Sequence, residues 1–473
     1  ARVGLRLWPA FAATSVRDWL AVHVAGGRVD RLALRMAFPP DVLADAVADR
    51  PIPATALAWS FSGGQGVLLP LPGMPYVRNL AARGQGDGRT AAVDASSGVV
   101  ELAAGKRLSL GDIHFSVADV SRKPADGRLR AKVSGSVESA LELIRAPGIR
   151  PHVPAGLEKV QARGLVEGDL AIDIPLSPKT RPADARIGLT ARLRNLTIDQ
   201  GVGGEKIEAG EFTLGVDGDA FSLKGDARLH GAPAQIEVKG TGKGPAVAQV
   251  SLTLDDAARA RKGIQLGPAV AGPAQVRFVT KLDGENEDVT LDVDLTRVAI
   301  NAALPGVSKK AGAPGRLRAV ATELDSGGWS LEKMEFDAGG LSARGSVVFA
   351  ENGEVQKAQL SQLRISPGDA MQVDAERAGG LLKVNVRGNS IDARPFLRSV
   401  LTGGIDKSVG KDLDLTLRST VLSGFNGELL ANADVRLGLR GGGLHRFELG
   451  GRFDGGAVAA RLQPAAGNAA LTV

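Results

Sequence analysis

Apolar and polar side chains alternate along most of this chain. Three runs show the alternation most clearly, since every second residue in them is aliphatic: 289–295, 382–386 and 435–439. Successive side chains of a β-strand point to opposite faces, so each run predicts a strand with one apolar and one polar face. Repeated over hundreds of residues, the pattern predicts a very long amphipathic sheet.

Short helices interrupt the predicted strands at only a few places. Residues 41–49 and 137–145 have helical spacing of their apolar side chains. Residues 392–401 predict a third helix, with Asp392 as its N-cap and Pro395 in its first turn. The remaining pattern is that of strands separated by glycine-rich turns, and the chain has 62 glycines. We therefore predict an all-β fold with few short helices.

A proline-rich stretch predicts a domain boundary. Pro147, Pro151 and Pro154 follow the helix at 137–145. We expect residues 1–146 to form an N-terminal β-rich segment and residues 155–473 to form an extended run of β-meanders, truncated at its C-terminus. The chain lacks an initial methionine, a signal peptide and any run of about 20 apolar residues. We expect it to be part of a longer protein whose membrane anchor lies outside this segment.

The predicted helices are too few and too short to cover the apolar face of so many strands. A sheet with one apolar face must bury it against something. That face packs either on a second sheet, as in a sandwich core, or on a partner that is not protein. The candidate residues for lining a non-protein path are the aliphatic members of the alternating runs: Ile187, Leu189, Leu193, Val289, Leu291, Val293, Leu295, Leu382, Val384, Val386, Val435 and Leu437.

Charge and motifs exclude several classes of function. The net charge of +6 is spread along the chain without a dense basic stripe, so nucleic acid is not an expected partner. The pairs Lys309–Lys310 and Lys407/Lys411 are interpreted as solvated loop charges. There is no cysteine, no HExxH motif and no GxSxG motif, and the segment 240–244 lacks the spacing of a phosphate-binding loop. We predict no catalytic residues, no metal and no cofactor, and hence no enzyme.

Several collinear segments resemble one family of bacterial envelope proteins. The segments are 19–29 (WLAVHVAGGRV), 74–80 (MPYVRNL), 93–100 (VDASSGVV), 110–115 (LGDIHF), 131–135 (AKVSG), 343–346 (ARGS), 365–369 (ISPGD) and 388–397 (GNSIDARPFL). Together they are similar to the AsmA-like superfamily, in particular its YhdP-type branch, with TamB as a more distant relative. The resemblance covers most of the chain, and the order of the segments is more specific than any one of them.

The resemblance implies a fold, a function and a location. The implied fold is a long, strongly bent antiparallel sheet that forms an open hydrophobic groove. The implied function is bridge-like lipid transport, in which phospholipid acyl chains slide along the groove between the inner and outer membranes. The implied location is the periplasm, with an inner-membrane anchor outside this segment. The family has no catalytic residues, so the resemblance assigns none to positions of this sequence.

Two other classes of function remain open at this stage. A periplasmic scaffold or assembly factor, as suggested for the TamB relative, would bind outer-membrane protein segments along a strand edge and so have envelope protein partners. A carbohydrate-active β-protein would need aromatic stacking platforms and clustered carboxylates. With four tryptophans and one tyrosine, the chain does not favour the carbohydrate interpretation.

Overall fold

The protein is mostly β-structure, with 67% of residues in strands and 11% in helices. The computed structural model describes residues 14–48, 50–70, 72–150, 153, 160–177, 180–181, 184–199, 206–229, 231–242, 244–261, 270–282, 288–301, 308–401, 412–441, 443–465 and 468–472. The chain divides into a first unit, residues 1–248 with 282–284, and a second unit, residues 249–281 with 285–473. The prediction of an all-β fold with few short helices is confirmed.

The first unit contains strands β1 to β11, and each strand pairs with the next one along the chain. All ten of these pairs are antiparallel, as the alternating pattern and short turns predict. The strands are β1 Val24–Met36, β2 Leu57–Leu68, β3 Val77–Asp87, β4 Ala91–Glu101, β5 Arg107–Val117, β6 Ala125–Ser136, β7 Ala162–Leu176, β8 Arg186–Ile198, β9 Ile207–Asp217, β10 Ala220–Leu229 and β11 Ala232–Thr241.

Strand β12, Ala246–Leu254, spans the division between the units, and the second unit contains β13 to β28. These strands are β13 Val270–Ala271, β14 Ala274–Leu282, β15 Val289–Asp294, β16 Ala299–Asn301, β17 Ser308–Lys309, β18 Gly315–Glu323, β19 Trp329–Ala338, β20 Leu341–Phe349, β21 Val355–Arg364, β22 Met371–Ala378, β23 Leu381–Asp392, β24 Leu413–Ser423, β25 Leu429–Arg440, β26 Gly443–Phe453, β27 Gly456–Ala465 and β28 Asn468–Thr472. Strands β13, β16 and β17 form a separate small sheet.

Five α-helices and three 3₁₀ turns are present among the described residues. The helices are α1 Thr14–His23, α2 Pro40–Val47, α3 Val137–Ile144, α4 Asp256–Arg261 and α5 Arg394–Leu401, and the turns are Ala54–Ala56, Ala103–Gly105 and Phe425–Gly427. The three helices expected from the sequence correspond to α2, α3 and α5. Ser136 caps α3 by accepting a hydrogen bond from the backbone N–H of Ser139 (3.1 Å).

The sheet crosses the predicted boundary at residues 147–154 without interruption. Strands β6 and β7 lie on either side of that boundary and pair in register from Ala125 opposite Leu176 to Ser136 opposite Leu165. Residues 151–152 and 154–159 lie outside the described residues. The proline-rich stretch therefore lies in a connection between two neighbouring strands of one sheet.

Pairs of glycines close two of the tight hairpins. Gly339–Gly340 joins β19 to β20, and Gly379–Gly380 joins β22 to β23, in each case as the two residues between directly paired strand ends. All four have positive φ, between 57° and 99°. A two-residue turn whose twist matches the strands requires positive φ at both positions, which glycine adopts without strain.

The sheet of the second unit is mixed rather than purely antiparallel. Strands β23 and β24 run parallel, in register from Leu382 opposite Leu413 to Asp392 opposite Ser423. The expectation of a wholly antiparallel sheet is wrong at this pair. A parallel pair needs a long crossover, and the connection between β23 and β24 contains α5. The Asp392 carboxylate accepts a hydrogen bond from the backbone N–H of Arg394, the first residue of that helix (3.0 Å).

Candidate functional site

The predicted lining residues of β15 and β23 lie on one face of the sheet in the second unit. Directly paired residues of neighbouring strands point to the same face. One row of such partners leads from β15 to β23: Val293, Leu317, Phe336, Ala343, Leu363, Met371 and Gly388. The lining residues of the two strands stand an even number of positions from Val293 and Gly388, and therefore share this face.

The same face continues through β24 and β25. Leu382, Val384 and Val386 pair with Leu413, Leu415 and Leu417 of β24, which pair in turn with Leu439, Leu437 and Val435 of β25. Predicted lining residues from three strands, among them Leu437, are thus brought together with aliphatic side chains that the prediction did not include. We call this surface the apolar face of the second unit.

The first unit has an apolar face of its own. Ile187, Leu189 and Leu193 of β8 pair with Ile172, Leu170 and Val166 of β7. One row of partners leads from β8 to the first strand: Ile187, Ile172, Leu129, Phe115, Val93, Gly84, Phe61 and Leu32. The three residues predicted in this unit therefore belong to a continuous surface, the apolar face of the first unit.

This face remains exposed at β1. Leu32, Leu34 and Met36 pair with Phe61, Trp59 and Leu57 of β2, and the three β1 side chains are 55%, 48% and 46% exposed. The rings of Trp59 and Phe61 are stacked, with centroids 6.1 Å apart. The end of the apolar face thus presents aliphatic and aromatic side chains that lack full cover from the described residues.

The opposite face carries charged side chains in cross-strand ion pairs. In the first unit Arg130 contacts Asp173 (3.1 Å) and Arg186 contacts Asp217 (2.8 Å). In the second unit Arg316 contacts Asp292, Arg418 contacts Asp434 (3.2 Å) and Arg440 contacts Asp414 (2.8 Å). Such exposed pairs contribute little energy one by one. All of these pairs lie on the face opposite the apolar one, which identifies their face as the solvent-facing side of the sheet.

These pairs shift the acid–base equilibria on the polar face. The side-chain hydrogen bond from Arg316 lowers the pKa of Asp292, and that from Arg440 lowers the pKa of Asp414. Aspartates are ionised at neutral pH in any case, and the lowered pKa keeps these two ionised further into the acidic range. The Asp217–Asp219 segment forms the turn between β9 and β10, and the carboxylate of Asp217 accepts hydrogen bonds from Arg186.

Part of the apolar face of the second unit is covered by protein. Leu291, Val293 and Leu295 pack in one cluster with Val298 and Ile300, the latter from the small sheet. Val298 is 1% exposed. Three of the predicted lining residues therefore pack beneath the small sheet. Leu382, Val384 and Val386 pack in two other buried clusters formed by the strands of the main sheet, and Leu437 is 8% exposed.

The interpretation of Lys309 as a solvated loop charge is wrong. Its side chain is buried, with 4% exposure, and its Nζ donates hydrogen bonds to the backbone carbonyls of Val298 (2.7 Å) and Leu295 (2.8 Å). Burial lowers the pKa of this lysine. Lys310 is exposed as predicted, and Lys407 and Lys411 lie outside the described residues.

Sequence reasoning missed the aromatic side chains of the apolar faces. Phe61, Phe115 and Phe212 lie on the face of the first unit, and Phe278 and Phe336 on that of the second. Each stands in an alternating run, so the same signal could have found them. The prediction selected purely aliphatic runs and passed over runs in which an aromatic residue takes one of the apolar positions.

Glycines of a neighbouring strand lie directly beneath two of the aromatic rings on the apolar face of the first unit. A Cβ atom on Gly84 would lie 2.4 Å from Cε1 of Phe61, and one on Gly86 would lie 2.6 Å from the indole ring of Trp59. The rings therefore lie directly over the backbone of β3. Aromatic side chains commonly cover cross-strand glycines in this way.

Gly84→Ala is expected to destabilise the protein by about 1–2 kcal/mol, because the new methyl group displaces the Phe61 ring. The matched control is Gly64→Ala on the neighbouring strand, where a Cβ meets no atom within 4 Å. Alanine normally stabilises a strand relative to glycine, so the control should be neutral or slightly stabilising. Urea unfolding of both variants measures the difference. Equal stability of the two would contradict the proposed ring position.

Comparison with known proteins yields no matching family model, no matching curated protein and no matching solved structure. None of the described helices is long and apolar enough to cross a membrane. The two apolar faces are therefore the structural features from which a function can be inferred.

Proposed function

We propose that this protein is a non-catalytic lipid carrier that conducts phospholipids between the inner and outer membranes of a bacterial envelope. Acyl chains lie on the apolar faces, and head groups remain in water. One observation supports this most strongly: in each unit a long row of directly paired apolar residues defines one face, while ion pairs occupy the other.

The energetics of an uncovered apolar face favour acyl chains as its cover. Apolar surface in water costs about 25 cal/mol per Å², and the side chains of β1 are half exposed. Acyl chains supply apolar cover without hydrogen bonds. An aliphatic lining offers them no directional contact and hence no deep binding site, which suits movement along the surface.

The dimensions of the first unit are compatible with this role. Eleven strands spaced about 4.8 Å apart extend over roughly 50 Å. One leaflet contributes about half of the ~30 Å hydrocarbon thickness of a bilayer. A phospholipid acyl chain is therefore shorter than the row of partners from Ile187 to Leu32, and several chains could lie along it.

A two-sheet sandwich within either unit is less compatible with the strand pairing. In the first unit β1 to β11 form one sheet. In the second unit the separate sheet has three strands of two or three residues each. A sheet of that size covers only a small part of the larger one.

Periplasmic location and inner-membrane anchoring are proposed on the resemblance to AsmA-like proteins, carried by segments such as 388–397. Together with the apolar faces, that resemblance favours transport between two membranes over storage of a single lipid.

Native mass spectrometry and lipid extraction of the protein purified from a bacterial envelope test the proposal. We expect several phospholipids bound per chain, because each unit has an apolar face long enough for more than one acyl chain. A stable, monodisperse protein without lipid would contradict the proposal.

The alternative function is a scaffold that binds outer-membrane protein segments along a strand edge. It is favoured by β1, a 13-residue strand that pairs on one side with β2 in the described residues. Arg31 and Arg35 alternate with the apolar side chains of β1, and such charges discourage edge pairing. Co-purification of peptide instead of lipid would favour this alternative.

A further inference from the structure

The small sheet in the second unit covers part of its apolar face. We define the strap as β13, β16 and β17 together with the turn 295–298. Val298 and Ile300 of the strap pack against Val276, Val293 and Ala338 of the main sheet, and all five are buried. The strap thus lies where, in our proposal, an acyl chain lies elsewhere on the face.

Lys309 of β17 holds the parts of the strap together through its ammonium group. Nζ donates to the carbonyl oxygens of Val298 (2.7 Å), Leu295 (2.8 Å) and Thr296 (3.3 Å), all in the turn 295–298. These partners are carbonyl dipoles, which stabilise the buried ammonium. Removal of the side chain would leave several carbonyls without their donor.

A buried arginine anchors β13 to helix α4 and to the end of β12. Arg259 is buried, and its guanidinium donates to the carbonyl oxygens of Gly272 (2.7 Å), Leu254 (3.1 Å) and Val270 (3.3 Å). Arg259 bonds both to Val270 of the strap and to Leu254 of β12, and it also pairs with Asp256 of α4. The position of the strap on the sheet therefore depends on these contacts and on the packing of Val298 and Ile300.

The strap has little hydrogen bonding of its own compared with the sheet below it. Strands β13 and β16 pair at two positions, as do β16 and β17. In contrast, β15 pairs at six positions with β14 and at six with β18. Segments with few contacts open at lower free energy than the strands of the main sheet. The main sheet can therefore persist when the strap is displaced.

We propose that the strap is a displaceable cover that takes the place of phospholipid acyl chains on β14, β15, β18 and β19. This inference rests on the proposed lipid function. When the strap is in place, Val298 and Ile300 provide the apolar cover; when it is displaced, an acyl chain replaces them. The strap thereby controls whether lipid can occupy this part of the face.

A disulfide lock can test this, since the chain contains no cysteine. A Cβ atom on Gly339 would lie 3.7 Å from Cβ of Lys309, within the range of a disulfide. In the variant Lys309→Cys/Gly339→Cys, oxidation fixes the strap to the turn between β19 and β20, and reduction releases it. Both redox states lack the Lys309 side chain and carry a cysteine at the positive-φ position 339, so the comparison between them isolates the effect of the covalent tether.

The lipid readout uses phosphatidylethanolamine vesicles that carry a photoreactive acyl chain, with labelled peptides mapped by mass spectrometry. We expect several-fold more label on β14, β15 and β18 in the reduced state, and equal label on β23–β25 in both states. Label on β23–β25 with no redox difference on β14, β15 and β18 would overturn the strap proposal alone. No label on any of these strands in either state would overturn the lipid function itself.

Single substitutions provide a lipid-independent measurement if the double variant does not fold. Lys309→Ala is expected to increase amide hydrogen exchange in β16 and β17 at least tenfold without changing β23–β25. Lys310→Ala, at the exposed neighbour, should leave exchange unchanged. Unchanged exchange in Lys309→Ala would overturn the inference that the strap is a weakly held segment stabilised by Lys309.

Discussion

Val384→Asp is expected to reduce the phospholipid bound per chain at least tenfold, while the control Thr416→Asp leaves it unchanged. Val384 lies on the apolar face of the second unit and pairs with Leu415 of β24. Thr416 follows Leu415, points to the opposite face and pairs with Arg436. The two variants place the same new charge on neighbouring strands, on opposite faces of one sheet.

The expected difference follows from the surroundings of the new carboxylate. On the polar face an aspartate at position 416 is hydrated and lies beside Arg436. On the apolar face an aspartate at position 384 retains its hydration only if acyl chains stay away from it, since an unpaired charge in an apolar environment costs several kcal/mol. A tenfold loss corresponds to about 1.4 kcal/mol, well below that cost.

Lipid extraction from both purified variants measures the effect, and urea unfolding monitors their folding. Val384 is a better position for this test than Leu291, because Val384 packs against clusters formed by the main sheet itself, whereas Leu291 packs beneath the strap. If Val384→Asp unfolds outright, Val384 belongs to a protein core and the sandwich interpretation is favoured. If it folds and binds as much lipid as Thr416→Asp, acyl chains do not use this face.

Much of the fold could be predicted from the sequence because side-chain alternation is a local property. A strand with Val289, Leu291 and Val293 on one side has its two faces fixed before any partner is known. Strand pairing then aligns such faces, because a shift by one residue would place apolar side chains in water. For this reason the lining residues predicted on β15, β23 and β25 lie on a common face.

The features that the sequence did not predict depend on contacts between distant residues. The parallel pairing of β23 with β24 follows from a crossover whose path no local pattern determines. The burial of Lys309 depends on the carbonyls of the turn 295–298, about a dozen residues earlier in the chain. A lysine beside another lysine gives no local signal that one of the two is enclosed.

The strap also changes the interpretation of the predicted lining set. A run of alternating aliphatic residues predicts an apolar face, but it does not predict what covers that face. At Val293 the cover is Val298 and Ile300 of the same chain. Val435 carries the same pattern but is not part of that cluster. Sequence alone cannot distinguish these two environments, because the pattern is identical.

Leu108→Ala is expected to lower the free energy of unfolding by about 3 kcal/mol, and Leu110→Ala by less than half of that. Both leucines lie on β5 and on the apolar face of the first unit, where they pair with Val100 and Gly98 of β4. Leu108 is 1% exposed and covers Gly135, whose Cβ would lie 2.7 Å from Leu108 Cδ2. Leu110 is only partly buried.

The two substitutions differ in their expected cost because the two leucines are enclosed to different degrees. Helix α3 lies against β5, β6 and β7, so truncation of the enclosed Leu108 leaves a cavity. Leu110 loses less apolar contact because part of its side chain already faces solvent. Urea unfolding of lipid-free protein measures both values. Equal losses would mean that the apolar face is enclosed to the same degree at both positions, as in a closed core.

Bound phospholipid should raise the stability cost of only one of these two substitutions. A ligand that binds the folded state stabilises it, and the gain decreases when its contacts are removed. Phospholipid should therefore increase the stability cost of Leu110→Ala, since acyl chains cover Leu110, and leave that of Leu108→Ala nearly constant. Repeating the unfolding series with and without bound phospholipid separates the parts of the apolar face that protein covers from the parts that lipid covers. An unchanged cost at Leu110 would exclude that position from the lipid path.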